Sequence, residues 1–515
     1  MATPTKWGDE FLVNSTTNSD QFGPAITGLS NGRFLVTWTD NSAGPPDFTI
    51  NVRAQIFNAN GTAFRGEFLV NTTTTDTQNA PQVTALSGGR FAVAFQDLSQ
   101  LQGTNSADVR VQVFNANGTK SGLEFIAPTT VAGVQAEPAI AALIKGRYVV
   151  VWTDSSGTSG DTSDAIVSQV FRADGTKLGA EHLVNTLTVG QQHGATVTAL
   201  AGGDYVVAWT SNSVDSNGSL LLSVNAQRFH ASGAAVGGEY QGLTVGGFNI
   251  GQSDPTITGL SGGRYVLAWR DVMGFDSNIN AQMFNGHGAL IGGNFTVNTT
   301  SANDQGEPSI APLKDGGYVV VWTDNGPFTG TGFNPEIRAQ AFHANGSLNG
   351  AEFVVNTYTT NLQRAPSVAT LADGRFVVTW EDLSGTLGDT TFAVHAQIFD
   401  PRSAAVTLVG TGMADDLIGT RYGDTLQGNG GNDTLTGGRG ADVFIFAPGE
   451  AHDRITDFGT GADQIDLTAF GFASVAQARS HFANVGADCV FSLGSDDLTV
   501  IHFATAQIDG SNLIL

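Results

Sequence analysis

The chain has 515 residues, enough for more than one domain and a substantial buried core. A net charge of −24 argues against nucleic acid and anionic membrane surfaces as partners and suits divalent cations. The single cysteine, Cys489, excludes an internal disulfide framework, no apolar run reaches the ~18 residues of a membrane helix, and the start, MATPTKWGDEFLV, carries no secretory signal peptide.

From the start to about Ser403 the chain repeats. Its anchor is Gln-x-x-Pro, an apolar alternation to Leu, a Gly turn, then Arg-Phe/Tyr-x-Val-x-Trp-x-Asp. Pro24, Pro81, Pro138, Pro255, Pro308 and Pro366 each lie fourteen residues before Trp38, Phe95, Trp152, Trp269, Trp322 and Trp380, and Ala195 with Trp209 supplies a further copy. Seven copies at a period of about 57 residues mean a solenoid, a propeller or an array.

Within a copy every segment reads as strand. QVTALSGGRFAVAFQD from Gln82 holds two period-2 runs around a Gly turn, VRVQVFNANG from Val109 is a third strand, and Glu67-Phe-Leu-Val-Asn71 a fourth. Four antiparallel strands per copy predict the blade of a β-propeller. The chain begins with a fourth-strand motif, residues 10–14, that belongs to no preceding copy, while the seventh copy, ending at His395-Ala-Gln-Ile-Phe399, lacks one. Residues 10–14 are therefore expected to complete the last blade and remove both open edges; an open stack of sandwich modules is the alternative.

Whatever recurs in every copy reads as architecture. Two sets of glutamines, one at Gln21 and its equivalents and one at Gln55 and its equivalents, are expected to bridge backbone edges, the tryptophans to be core, and Asp40 and its equivalents to form turns. Departures from the repeat are the candidates for function. Glu137, Asp254 and Glu307 precede the fixed proline in three copies, with His193 and Arg364 nearby in two others. At a channel mouth these five would make a small acidic pocket for a cation or polar ligand; solvated loop charges are the alternative. No phosphate loop, GxSxG elbow, Cys/His pair or HExxHxxGxxH site occurs, so nothing in the sequence argues positively for an enzyme.

From Gly410 to Ile445 a second period appears: GTGMADDLI, GTRYGDTLQ, GNGGNDTLT and GGRGADVFI. Each unit places Gly first, Asp sixth and Leu or Phe eighth. The phase stacks Asp415, Asp424, Asp433 and Asp442, whose carboxylates repel unless a cation lies between them, and aims Leu417, Leu426, Leu435 and Phe444 into a core. Glycine at the turns brings carbonyl oxygens alongside the carboxylates, and an all-oxygen cage suits Ca²⁺.

This pattern resembles the nonapeptide repeat of RTX proteins, which folds as a parallel β-roll and binds Ca²⁺. DRITDFGTGADQIDL, from Asp453 to Leu467, is similar to the C-terminal module of serralysin-type, type I-secreted members. The resemblance implies one ion between Asp415 and Asp433 with the carbonyls of Thr411, Met413, Gly428 and Gly430. It implies a second between Asp424 and Asp442 with those of Thr420, Tyr422, Gly437 and Arg439. Thr411, Met413, Thr420 and Tyr422 stand where the family has glycine. The resemblance also implies export by a type I secretion exporter and an extracellular location, where calcium is high enough to fill weak sites.

The expected architecture is thus all-β: a seven-bladed β-propeller at 1–403, a short parallel β-roll at 404–446 and a capping and type I secretion module at 447–515, with a short helix around Ser474 to Phe482. The expected function is a secreted calcium-binding protein whose propeller binds or adheres to an extracellular glycan, matrix or cell surface. The alternatives are a calcium-dependent surface-layer or matrix protein and a propeller-type hydrolase or lyase.

Overall fold

The structure, a computed structural model, describes residues 3–42, 49–99, 107–157, 163–188, 190–214, 220–242, 251–273, 276–300, 304–326, 334–389, 391–459 and 462–515. Up to Asp400 it is built of antiparallel strands in repeating sets, giving a propeller-like all-β fold. In one set Gln21–Gly28, Phe34–Asp40, Asn51–Phe57 and Phe68–Leu69 pair in that order. Among the described residues this region forms five such four-stranded sheets and one eight-stranded sheet, in which two repeats are joined by a parallel bridge at Leu222 and Gly251. The first strand of each repeat packs against the first strand of the next, and the last of them, Gln363–Thr370, packs against Gln21–Gly28. The series therefore closes on itself.

The closing sheet is assembled from both ends of this region. Thr5–Leu12 pairs antiparallel with Ala393–Asp400, with a register shift between Trp7 and Phe11, and the Val13 N–H extends the ladder to the Val394 carbonyl (2.8 Å). The outer edge of the last repeat is thereby covered by the start of the chain.

Apolar cores lie between neighbouring sheets, because each central strand is buried on both faces. Phe34–Asp40, Tyr148–Asp154 and Tyr318–Asp324 are buried at every position, and Trp38, Trp209, Trp322 and Trp380 are wholly enclosed. The recurrent glutamines act on backbone. Gln112 Nε2 donates to the Val113 carbonyl (2.9 Å) and Gln282 Nε2 to those of Met283 (2.8 Å) and Ile291 (3.2 Å). Gln78 Nε2 donates to Asp97 (2.9 Å) while its Oε1 accepts from Asn71 (3.1 Å). Asp40 does form the expected turn, accepting from the Ser42 N–H (3.2 Å) and hydroxyl (2.7 Å), and it also binds Arg53 (2.5 Å).

Neighbouring sheets are tied by carboxylates. Glu67 accepts from the N–H (2.9 Å) and hydroxyl (2.8 Å) of Ser15 in the preceding repeat, Glu239 from Thr186 (2.7 Å), Glu352 from Thr299 (2.6 Å), and Glu10 from the Thr357 N–H (2.5 Å). Glu10, from the start of the chain, thus occupies the position in the last sheet that Glu67 occupies in the first.

Beyond Arg402 the chain forms two parallel sheets from alternate short strands. Thr407–Val409, Thr425–Gln427, Val443–Ile445 and Gln464–Asp466 make one, and Asp416–Ile418, Thr434–Thr436, His452–Ile455 and Asp496–Val500 make the other. Leu417, Leu426, Leu435 and Phe444 lie in one core that runs on through Ile465, Phe491 and Leu513. The sheets continue past residue 446, because later strands add to the same edges. Two expected elements fall short of their sequence extent. The helix spans Val475–Arg479, capped by Ser474, and the segment whose apolar alternation reads as a strand from Leu498 to Phe503 pairs instead over Asp496–Val500.

The two regions meet through charge. Arg402 donates to the carbonyls of Ile418 (2.9 Å) and Gly419 (2.7 Å), and Asp416 accepts from the Ala59 N–H (2.9 Å). Arg375, fully buried, pairs with Asp373 (2.7 Å), donates to the Ala59 carbonyl (2.7 Å) and lies over the Trp7 ring (4.2 Å).

Truncation of residues 1–14 leaves the Ala393–Asp400 edge bare and removes Trp7 and Glu10. The expected result is a lower melting temperature and concentration-dependent association in sedimentation; a truncated chain as stable and monodisperse as its parent would show that the closing strand is dispensable.

Candidate metal centres and the channel mouth

The nonapeptide aspartates stand in two ladders, one per parallel sheet. In the first, the Asp415 N–H donates to Asp433 Oδ1 (2.7 Å) and the Asp433 N–H to Asp453 Oδ1 (2.9 Å). In the second, the Asp424 N–H donates to Asp442 Oδ1 (2.8 Å) and the Asp442 N–H to Asp463 Oδ1 (3.0 Å). Each ladder therefore has a third rung outside the four repeat units. The 18-residue step between rungs becomes 20 and 21 residues there, which is why strict phase does not reveal Asp453 and Asp463.

The second carboxylate oxygens divide the ladder in two. In the first two units Asp415 Oδ2 accepts from the Thr411 N–H and hydroxyl (2.9 Å for the latter), and Asp424 Oδ2 from the N–H and hydroxyl of Thr420. In the last two units, where Asn429 and Gly438 stand in place of those threonines, the second carboxylate oxygen gains no such partner among the described residues. Asp433 Oδ2, Asp442 Oδ2 and Asp453 Oδ2 are buried with no hydrogen-bond partner among the described residues, and these three are at most 2% exposed. A Cβ placed on Gly428 or Gly437 would lie 2.3 Å from Asp433 Oδ2 or Asp442 Oδ2. Only glycine leaves that space beside the oxygen. Among the other expected carbonyl donors, that of Thr420 accepts from the Arg439 N–H (3.2 Å), while Met413 and Tyr422 pack against Gly431 and Gly440, both in the left-handed region.

The electrostatics have one sign. Burial, then the neighbouring Asp463, Asp424 and Asp457, push the Asp442 carboxyl up to about 6. Burial raises both Asp433 and Asp453; repulsion from Asp415 and Glu450 adds to the first, and repulsion from Asp433 and Glu450 to the second. Unpartnered, buried oxygens of like charge in glycine-lined turns fit a hard cation that takes oxygen ligands.

The five channel residues are distributed differently. The residue before the fixed proline is left-handed in every repeat, with φ between 48° and 61° at Gly23, Ala80, Glu137, Gly194, Asp254, Glu307 and Ala365, and each first strand bulges there. These bulges surround a cavity of about 530 Å³ that Glu137 and Glu307 line and that Asp254, His193 and Arg364 do not. Both glutamates are engaged. Glu137 Oε2 accepts from the Thr153 hydroxyl (2.9 Å) and from the Gly194 N–H of the next repeat (2.8 Å). Glu307 Oε2 accepts from Thr323 (2.8 Å) and from Ala365 of the next repeat (2.8 Å). Glu381, missed in sequence because it stands within a central strand, does the same for Gly23 (2.8 Å) and also binds Arg364 (2.8 Å). Arg364 meets Glu307, Arg270 and Asp304 in a smaller cavity of about 280 Å³. Asp254 lies 4.0 Å from Arg270, and His193 Nε2 is 3.2 Å from Asn212 Oδ1.

Residues 409–444 match the family model of the RTX calcium-binding nonapeptide repeat in four copies. They are RTX calcium-binding repeats. No curated relative matches the chain in sequence. Similar solved structures include a protein of unknown function from Dyadobacter fermentans, at 9% identity and a TM-score of 0.46 over 78% of this chain and 99% of that one. Others are an α-L-arabinofuranosidase from Fusarium graminearum, at 12% and 0.42 over 76% and 98%, and a fungal alcohol oxidase of the AA5 family with copper, at 15% and 0.47 over 77% and 76%. None of the three reaches 0.5. Among the described residues no helix is long and apolar enough to cross a membrane.

Replacing Glu307 with Ala leaves the Ala365 N–H and the Thr323 hydroxyl without their acceptor. A loss of about 1–3 kcal/mol in denaturant unfolding is expected, and a variant with parental stability would show that this carboxylate does not tie the repeats together.

Proposed function

We propose that the chain is a secreted protein in which a seven-bladed β-propeller is carried by a calcium-dependent RTX β-roll, and that the propeller is an extracellular binding or adhesion module for a glycan, a matrix or a cell surface. The observation that carries the calcium part is the set of orphaned oxygens of Asp433, Asp442 and Asp453, buried in glycine-lined turns. Bound calcium supplies the positive charge that these stacked carboxylates lack. Without it the ladder repels itself, so binding free energy becomes folding free energy. Calcium is scarce in the cytosol and abundant outside, and a chain that stays open until it meets calcium suits passage through a type I exporter.

The threonines sharpen this reading. Asp415 and Asp424 already have partners in Thr411 and Thr420, so the glycine-based half-sites around Gly428, Gly430 and Gly437 carry more of the affinity than those around Met413 and Tyr422. Asp453 and Asp463 extend both ladders toward the last strands of the chain. The binding role of the propeller is supported by the engagement of Glu137 and Glu307 in joining repeats, which leaves the 530 Å³ mouth a shaped surface without a pair of free carboxylates.

The test is a calcium titration of the full chain followed by circular dichroism and calorimetry. At a hundredfold excess over the dissociation constant, one site adds about 2.7 kcal/mol to the folded roll, and the gain should disappear in Asp433→Asn/Asp442→Asn. If calcium leaves the melting profile unchanged, the calcium-dependent roll is refuted. In Thr411→Gly/Thr420→Gly the freed Asp415 and Asp424 oxygens should raise calcium affinity by isothermal titration; unchanged affinity would mean that the threonines do not occlude them.

A further inference from the structure

The position opposite the core tryptophan on each third strand reveals how the last repeat differs from its siblings. In three repeats it is an arginine between two carboxylates, the aspartate ending the second strand and the glutamate opening the fourth. Arg53 holds Asp40 (2.5 Å) and Glu67 (3.1 Å), Arg110 holds Asp97 and Glu124 (3.1 Å for the latter), and Arg338 holds Asp324 (2.6 Å) and Glu352 (2.9 Å). In the last repeat the same aspartate is Asp382 and the same glutamate is Glu10, but the residue between them is His395.

His395 Nδ1 lies 2.8 Å from Glu10 Oε1 and 3.8 Å from Asp382 Oδ2. Its Nε2 lies 3.1 Å from Asp389 Oδ2, a third acid on the far side of the ring. All four side chains are at most 1% exposed. Asp389 Oδ1 is buried with no partner among the described residues.

Charge is what separates this cluster from its siblings. Around Arg53 one guanidinium faces two carboxylates and the residual charge is a single negative one; Arg110 and Arg338 have a further acid nearby, Asp108 and the more exposed Glu336. Here a neutral imidazole would face three carboxylates, and even an imidazolium would leave two uncompensated charges in a dry interior, where unpaired charge is costly. A divalent cation with a neutral imidazole restores the residual charge found around Arg53. The geometry has the form of a metal centre: one ligand atom each from Glu10, Asp382 and His395, all within 4.8 Å of one another. With an ion on Nδ1, the Nε2–H would be directed to the Asp389 carboxylate, the arrangement that fixes the tautomer of metal-bound imidazoles.

We propose that Glu10, Asp382 and His395 form a buried site for a divalent transition-metal ion of the zinc, manganese or cobalt class, with Asp389 orienting the imidazole. The nitrogen ligand sets it apart from the all-oxygen calcium ladders. Glu10 belongs to the strand that closes the ring, and Asp382 and His395 belong to the sheet it closes. The ion staples the two ends of the repeat region together, and because the site is enclosed the ion is taken up as the chain folds.

The test uses the full chain, refolded in excess calcium with zinc or cobalt and then freed of loose metal. About one equivalent of zinc per chain is expected to remain by elemental analysis, with a higher melting temperature than the chain refolded without it, and cobalt should give visible absorption from a nitrogen–oxygen site. His395→Arg recreates the sibling arrangement, so it should fold and melt cooperatively while losing both the bound equivalent and the cobalt spectrum; Glu10→Gln should lose them as well. Retention of the same metal by both variants would place it in the aspartate ladders and overturn the proposal. A wild-type chain that retains no zinc, manganese or cobalt and melts identically with and without them would overturn it too, leaving a protonated His395 as the cation between the carboxylates.

Discussion

A carboxylate that accepts the backbone N–H of a neighbouring repeat is the interaction on which this chain depends at every scale. Glu67, Glu239 and Glu352 reach the Asn-Thr or Asn-Ser turn of the preceding repeat, and Glu137, Glu307 and Glu381 reach the bulge of the following one. Asp433, Asp442, Asp453 and Asp463 do the same between turns of the parallel sheets, and Asp416 does it between the two regions. An ionised acceptor makes a stronger hydrogen bond than a neutral one. Acidic residues are therefore the joints of the molecule, and much of its net charge of −24 has a structural use.

What differs between the regions is how that charge is balanced. Around the ring, a carboxylate joint stands beside a cationic side chain in several repeats: Arg53, Arg110 and Arg338 each sit between two acids. In the parallel sheets no cationic side chain is bonded to Asp433, Asp442 or Asp453 among the described residues, and Asn429 and Gly438 stand where Thr411 and Thr420 supply the hydroxyls that satisfy Asp415 and Asp424. The same bond that is self-sufficient in one region is left with a charge deficit in the other. That deficit is the physical basis for treating calcium as a component of the fold, and the last repeat, with His395 among three acids, shows it once more on a smaller scale.

The contact between the regions has a related logic. Arg402 spends its donors on Asp400 and on the carbonyls of Ile418 and Gly419, where the first two nonapeptide units join, and Asp416 binds the backbone at Ala59, which Arg375 holds from within the repeat region. The first nonapeptide turn is thus held by protein groups on one side, and the aspartate ladders proceed away from it. A rigid support at one end suits a stack whose later turns are held apart by repulsion.

Periodicity made much of this legible in the residues alone. The nine-residue phase placed Leu417, Leu426, Leu435 and Phe444 in one core, because a residue's position along a repeated turn decides which way it faces, while the four aspartates divide into two ladders, Asp415 with Asp433 and Asp424 with Asp442, because alternate units belong to different sheets. The four-strand pattern of the longer repeat was legible for the same reason. Partnership was not. Asp453 and Asp463 join the ladders although the spacing slips, since a longer loop can still return its strand to the same edge. Glu137 and Glu307 read as pocket acids, but the rotation from one sheet to the next brings a backbone N–H of the following repeat to them. His395 is one histidine among nine in the sequence, and it meets Glu10 and Asp389 because the two ends of the repeat region close against each other. Local spacing determines which face a side chain presents; which group it meets there is settled by closure and stacking, long-range events that no short window of residues contains.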